Sequence, residues 1–294
     1  MSQVQPLRTE YLYQTPEGPR SGSYLLWEPQ GPARKLVVCV HGLTRNARDF
    51  DYLARALVAD GYRLVCADVA GRGHSQWLEQ PEHYGYPLYI SQMQQLLQQL
   101  LLKYRTAQID WIGTSMGGLI GMMIAAHPAS PIDHLVMNDV GFLIPKASLE
   151  RLASYVGKDS AGFADVDAVE RYLRVVAAPF GPLTDEQWQH LARHSAEPDP
   201  ARPGRLRLSY DPAIANAFSG VPIVADVDLS AVWAAVTTRV LLIRGKQSDL
   251  LLADTARQMA AQPNVELAEF AGIGHAPALM ARDQIMAIRG FLAS

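Results

Sequence analysis

Apolar residues follow two rhythms along this chain. Six short segments are almost continuously apolar: Lys35–Val40, Tyr62–Ala67, 108–112, Ile132–Met137, 239–244 and 264–270. Such runs read as strands buried on both faces. Between them, Phe50–Asp60, 88–104, 115–127, 252–261 and 277–291 place their apolar residues at helical spacing. In 88–104 the apolar positions are Ile90, Met93, Leu96, Leu97, Leu100, Leu101 and Tyr104, with glutamines on the other side. Strand and helix alternate, which predicts a parallel sheet covered on both faces. Two earlier segments, 6–15 and 21–28, flank the turn Thr15-Pro16-Glu17-Gly18-Pro19 and predict an antiparallel hairpin leading into it. The expected fold class is α/β, with a mostly parallel eight-stranded sheet flanked by helices.

The alternation stops between 142 and 230. Helical patterns occupy 147–156, 165–178 and 184–195, while Pro and Gly cluster at 179–182 and 198–204. No buried parallel strand is evident there. This predicts a helical insertion, residues 142–230, within a core formed by 1–141 and 231–294. Open parallel sheets bind ligands beyond the C-terminal ends of their strands. An insertion leaving from that edge is expected to act as a lid.

With 294 residues, 49% of them hydrophobic, the chain is long enough for one large core plus such an insertion. The net charge of −3 and scattered basic residues give no support to a nucleic-acid partner. No run approaches the eighteen apolar residues of a membrane span, and the first residues lack a signal-peptide core. Cys39 and Cys66, the only cysteines, lie inside strand-like runs and read as buried free thiols. The expected compartment is the cytoplasm, and the expected partner is a small-molecule substrate, with neither nucleic acid nor membrane involved.

Candidate chemistry concentrates at Gly113-Thr114-Ser115-Met116-Gly117. An apolar strand precedes this pentapeptide and a helix of small and apolar residues follows it. A serine between glycines at such a corner is held in a strained turn, exposed above the sheet with a helix N-terminus behind it. That marks Ser115 as a nucleophile. The run His41-Gly42-Leu43-Thr44 closes the strand at 35–40. Gly42 permits close backbone approach, so the amides of Leu43 and Met116 are the expected oxyanion-hole donors. His41 reads as a structural group holding this loop. Of eight histidines, His275 stands out in Gly272-Ile273-Gly274-His275-Ala276-Pro277, a loop after a strand, and is the expected base. Asp249, in the loop after strand 239–244, is the expected acid, giving the chain order Ser115, Asp249, His275. Its rival is Asp139, in Asn138-Asp139-Val140-Gly141 at the end of the preceding strand.

The segments His41-Gly42, Asp68-Val69-Ala70-Gly71-Arg72-Gly73-His74-Ser75, Gly113 to Gly118, Ser248-Asp249 and Gly274-His275 together resemble the serine α/β-hydrolase superfamily, from about residue 35 to the end of the sequence. The resemblance implies the α/β-hydrolase fold with a helical cap. It also implies attack of Ser115 on an acyl carbonyl, with no metal or organic cofactor. It says little about substrate, since this superfamily hosts many chemistries. A small to medium carboxylic ester is the expected substrate. A thioester or C–C bond cleaved by the same triad is the alternative, and a ligand receptor with slow or no turnover is a third. Arg45, Phe142 and Trp188 are the expected substrate-binding residues. Among the cap aromatics Phe142, Tyr155, Phe180, Trp188 and Phe218, some are expected to set acyl-chain selectivity.

Overall fold

A computed structural model describes residues 4–157, 162–218 and 223–294, without the side chains of 217 and 218. Eight strands form one sheet: β1 (Leu7–Thr15), β2 (Gly18–Trp27), β3 (Leu36–Val40), β4 (Arg63–Asp68), β5 (Ile109–Thr114), β6 (Ile132–Asn138), β7 (Arg239–Gly245) and β8 (Val265–Phe270). Their spatial order is β1-β2-β4-β3-β5-β6-β7-β8. β1 pairs antiparallel with β2, and β2 with β4; every other neighbouring pair is parallel. The expected eight-stranded, mostly parallel sheet is therefore the observed one.

Its central strands are largely apolar because both faces are covered. Along β3, Val38 and Val40 pack into one core, while Val37 and Cys39 pack into the other. The first core lies under α2 (Tyr86–Tyr104) and α3 (Met116–Ala125), and takes Ala256 and Met259 from α7 (Ala253–Ala260). The second takes Leu53 and Leu57 from α1 (Asp51–Ala59), and Ile288 and Phe291 from α8 (Arg282–Leu292). Each Val, Leu, Ile, Phe or Met side chain among them, removed from water, contributes roughly 1.5–3 kcal/mol. The last helix begins at 282 rather than 277. Pro277 opens this stretch and Leu279 takes a left-handed backbone (φ 57°), so the chain cannot coil until it is past both.

Between β6 and β7 lie α4 (Lys146–Tyr155), α5 (Val166–Val176) and α6 (Asp185–Ser195). The chain enters and leaves this region through a two-strand clasp, Leu143–Ile144 against Val227–Asp228, extended by a bond from the Leu229 amide to the Phe142 carbonyl (2.7 Å). α5 and α6 begin on side-chain caps. Asp165 accepts from the Ala168 amide, and Thr184 forms a reciprocal capping box with Gln187. Cys39 and Cys66 are buried free thiols, and burial pushes the Cys66 thiol well up. No described helix is long and apolar enough to cross a membrane.

Candidate active site

Ser115 stands at the junction of β5 and α3 with φ 51° and ψ −113°, a conformation that L-residues rarely adopt. Such a residue stores of order 1–3 kcal/mol of strain, which the surroundings must hold. The flanking glycines show how tightly they do so. A Cβ on Gly113 would meet the Gly117 carbonyl oxygen at 2.2 Å, and one on Gly117 would meet the Val40 carbonyl oxygen at 2.0 Å. The Ser115 amide donates to the Asn138 carbonyl (2.9 Å), and Trp111 Nε1 donates to the Gly117 carbonyl (3.0 Å). Turn, helix and neighbouring strand thus lock one another.

His275 reaches Ser115 from the loop after β8, its Nε2 lying 3.0 Å from Ser115 Oγ. On the opposite side of the ring, Nδ1–H donates to Asp139 Oδ2 at 2.8 Å. That assignment of the proton leaves Nε2 free to accept from the serine hydroxyl. Asp139 is fully buried and sits just past β6 in a left-handed conformation (φ 58°), which Asp tolerates better than most residues. Its carboxylate also accepts from the Gly245 amide (2.8 Å) and the Ser248 hydroxyl (2.6 Å).

The expected acid, Asp249, is not at His275. Its side chain is 51% exposed and pairs bidentately with Arg151, Nε to Oδ2 at 2.6 Å and Nη2 to Oδ1 at 3.0 Å. The cause is local. In the loop after β7 it is Ser248 that turns inward. Its Oγ also accepts from the amides of Leu250 (3.2 Å) and Leu251 (3.0 Å), so the next side chain points out. Asp139, the rival, occupies the position instead. An Asp within Asn-Asp-Val-Gly at a strand end was the available signal, since few other residues enter the left-handed region there.

The loop after β3 lies beside the serine. A Cβ on Gly42 would be 3.8 Å from Ser115 Cβ. Met116 is the first residue of α3, so its amide has no acceptor within the helix. His41, fully buried, donates from Nδ1 to the Gly42 carbonyl (2.7 Å) and accepts the Val69 amide at Nε2 (3.0 Å). Burial, more than any neighbour, lowers its pKa to about 4 and keeps it neutral. It ties the β3 loop to the β4 loop.

Above Ser115 is a cavity of about 90 Å³. Gly42, Leu43, Arg45 and His275 line it from the core, and Tyr155, Tyr172, Leu173, Val176, Phe180, Leu208 and Tyr210 from the 142–230 region. Arg45 is thus at the site. Asp49 fixes it through Nε (2.8 Å) and Nη2 (2.6 Å), and its guanidinium lies 5.9 Å from the centre of the Phe180 ring. Two expected binding residues are elsewhere. Phe142 sits at the clasp, packed on the main core. Trp188 is buried on α6 beneath the Arg174 guanidinium, 5.5 Å from its ring centre. Both serve packing because their helix or loop turns them away from the cavity. The side chain of Phe218 lies outside the described residues. Arg151, Leu208 and Tyr210 line the cavity without any sequence pattern that marks them.

Two groups of potential metal ligands occur among the described residues, Asp51–His190–His194 and Asp110–Asp133–His134. In each, a side-chain cation already stands among the donors. Arg48 Nη2 lies 2.7 Å from Asp51 and 3.1 Å from His194 Nε2, and Lys35 Nζ lies 2.6 Å from Asp110. None of these residues lines the Ser115 cavity.

Comparison with known proteins places this geometry in context. Residues 35–279 match the model of the alpha/beta hydrolase fold family. The 3-hydroxybutyrate-oligomer hydrolase of Cupriavidus necator is 40% identical over 278 residues, covering 92% of each chain. The pimeloyl-[acyl-carrier protein] methyl ester esterase of Vibrio cholerae is 25% identical, over 86% of this chain and 91% of that protein. A solved alpha/beta hydrolase from Novosphingobium aromaticivorans superposes with a TM-score of 0.84 at 32% identity, covering 99% of both chains. The chain belongs to the alpha/beta hydrolase family.

Proposed function

We propose that this alpha/beta hydrolase cleaves a carboxylic ester through an acyl-enzyme on Ser115, and that its substrate is a short oligoester of a hydroxy acid. The observation that carries the reading is the hydrogen-bonded series Ser115 Oγ, His275, Asp139, at 3.0 and 2.8 Å. Hydrolase and esterase relatives support ester cleavage.

In this reading His275 Nε2 takes the Ser115 proton as Oγ attacks the ester carbon. Asp139 holds the imidazole in the Nδ1–H tautomer and balances the imidazolium that forms. The amides of Leu43 and Met116 receive the developing oxyanion; a single such donor contributes roughly 10²–10³ in rate. Collapse of the intermediate passes the Nε2 proton to the leaving alcohol oxygen and leaves an acyl-serine. Water then loses a proton to His275 and attacks the acyl carbon. Ser115 leaves with that proton, and the free acid departs. Each step uses only groups of this chain and water.

Substrate class rests on two supports. One is the named substrate of the Cupriavidus relative, 3-hydroxybutyrate oligomers. The other is Arg45. Asp49 takes its Nε and Nη2, and Nη1 has no partner among the described residues. An oligomer of a hydroxy acid ends in a free carboxylate, which that edge of the guanidinium suits. The region 142–230 acts as a cap whose Tyr155, Tyr172 and Phe180 enclose the chain.

A substrate panel tests the reading: 3-hydroxybutyrate dimer and trimer, simple short esters, thioesters and vinylogous 1,5-diketones, with Ser115→Ala as control. The expected result is cleavage of the oligomers and short esters, abolished in the variant. Turnover confined to diketones or thioesters would move the assignment to those bonds. Ligand-induced thermal stabilisation without any turnover would favour a receptor.

A further inference from the structure

The mechanism leaves the buried charge of Arg72 unused. Arg72, in the loop after β4, is 0% exposed. Among the described residues, none of its side-chain hydrogen bonds is to a carboxylate. Nε donates to the Leu43 carbonyl (2.9 Å), Nη1 to the Ala70 carbonyl (2.7 Å) and Nη2 to Met116 Sδ (3.7 Å). Its guanidinium lies 4.6 Å from the ring centre of Tyr89. All these acceptors are neutral. A buried cation without a counter-charge opposes folding unless it is fully hydrogen-bonded, and an apolar side chain would fill the same volume without that cost. Packing alone therefore does not account for it.

Two of its three donors end on Leu43 and Met116, the residues whose amides are assigned to the oxyanion. Its own backbone is fixed in turn. Its amide donates to the Val69 carbonyl (2.9 Å), Gly73 donates to Ser209 (2.8 Å), and Gly71 accepts from Asp211 (2.8 Å). The side chain is thus a rigid strut between the β3 loop and the start of α3. Its charge is felt nearby: after burial, Arg72 is among the groups that hold the His41 imidazole down.

We propose that Arg72 is a positioning residue for the oxyanion hole, clamping the Leu43 loop against Met116 and lending an uncompensated positive charge beside the two amides. The inference rests on the ester-hydrolase reading of Ser115. Charge that is fixed in a low-dielectric site before reaction stabilises an oxyanion without reorganising, and binds the ground-state ester no more tightly.

The test compares Arg72→Met and Arg72→Lys with wild type. The readouts are kcat and KM on a short ester, affinity for a trifluoromethyl ketone, and affinity for the matching secondary alcohol. The ketone adds to Ser115 as a tetrahedral oxyanion; the alcohol fills the pocket without one. Arg72→Met is expected to lose roughly 10–10²-fold in kcat and the same factor in ketone affinity, with KM and alcohol affinity nearly unchanged. Arg72→Lys, which keeps the charge and loses the fork, is expected to recover part of both. Wild-type kcat and ketone affinity in folded Arg72→Met would overturn the inference. So would an equal loss of alcohol affinity, which marks a distorted pocket, or loss of the fold in both variants, which marks a framework residue. Failure of wild type to bind the ketone would instead overturn the hydrolase reading itself.

Discussion

Ser248 donates its hydroxyl to Asp139 Oδ2 over 2.6 Å, the same oxygen that accepts the hydrogen bond from His275 Nδ1–H. The loop after β7 therefore braces Asp139, which the end of β6 supplies as the acid of the proposed triad. This division sets the expected ranking of variants.

Asp139→Asn should lower kcat by roughly 10³–10⁴, because an amide in that place can favour the wrong imidazole tautomer. Asp249→Asn removes half of an exposed ion pair and should change kcat by less than a factor of about 3. Steady-state kinetics on one short ester decides it; the reverse ranking would restore Asp249 as the acid.

A fluorophosphonate should add once, at Ser115, since an activated serine attacks phosphorus as it does carbon. Intact-mass measurement checks this. An adduct that persists in Ser115→Ala would place the reactive group elsewhere.

Arg45→Gln should erase a preference between substrates. Wild type is expected to favour 3-hydroxybutyrate dimer over its methyl ester, which lacks the terminal carboxylate. In the variant the two kcat/KM values should converge, while cleavage of a simple uncharged ester persists. Equal wild-type rates on acid and methyl ester would remove Arg45 from substrate recognition.

Cap aromatics should divide by position. Phe180→Ala and Tyr155→Ala, which open the cavity wall, should shift the preferred acyl length, each methylene being worth about 1–3 kcal/mol of discrimination. Trp188→Ala should leave that profile alone and cost about 3–5 kcal/mol of stability. Rates across acetyl to decanoyl esters, with urea unfolding, separate the two classes.

His41 makes stability depend on acidity with a definite sign. Its folded pKa of about 4 lies below its ordinary value of 6.5 because burial disfavours the cation. Between these values the unfolded chain binds the proton and the folded one does not. Its contribution is therefore complete above about pH 6.5 and is lost as pH falls toward 4, by about 3 kcal/mol in all. His41→Gln lacks this term. Its stability should fall less than that of wild type between pH 7 and 4; parallel curves would contradict the assignment.

The sheet was legible because burial on both faces leaves an unmistakable trace, as in Leu36 to Val40, and because Pro and Gly mark the ends of helices. The Ser115 turn was legible because neighbouring backbone leaves no room for a Cβ at 113 or 117. Loops beyond the strands leave no such trace. Whether Ser248 or Asp249 turns inward depends on a single peptide's orientation, set by bonds to Asp139, Leu250 and Leu251 that no periodicity reports. The same holds in the cap. Trp188 and Phe180 are both large aromatics in a helical region, and only tertiary packing separates the one buried on α6 from the one that lines the Ser115 cavity.

The seam between Gly71–Gly73 and Ser209–Asp211 is made by main-chain groups. Bonds of that kind are indifferent to side-chain identity. The segment thus stays stitched to the core at the same register whatever side chain lines the cavity at 208. On the proposed reading, a lineage of such proteins can alter what it digests by drift within 142–230, and the seam keeps each new pocket seated over the same serine.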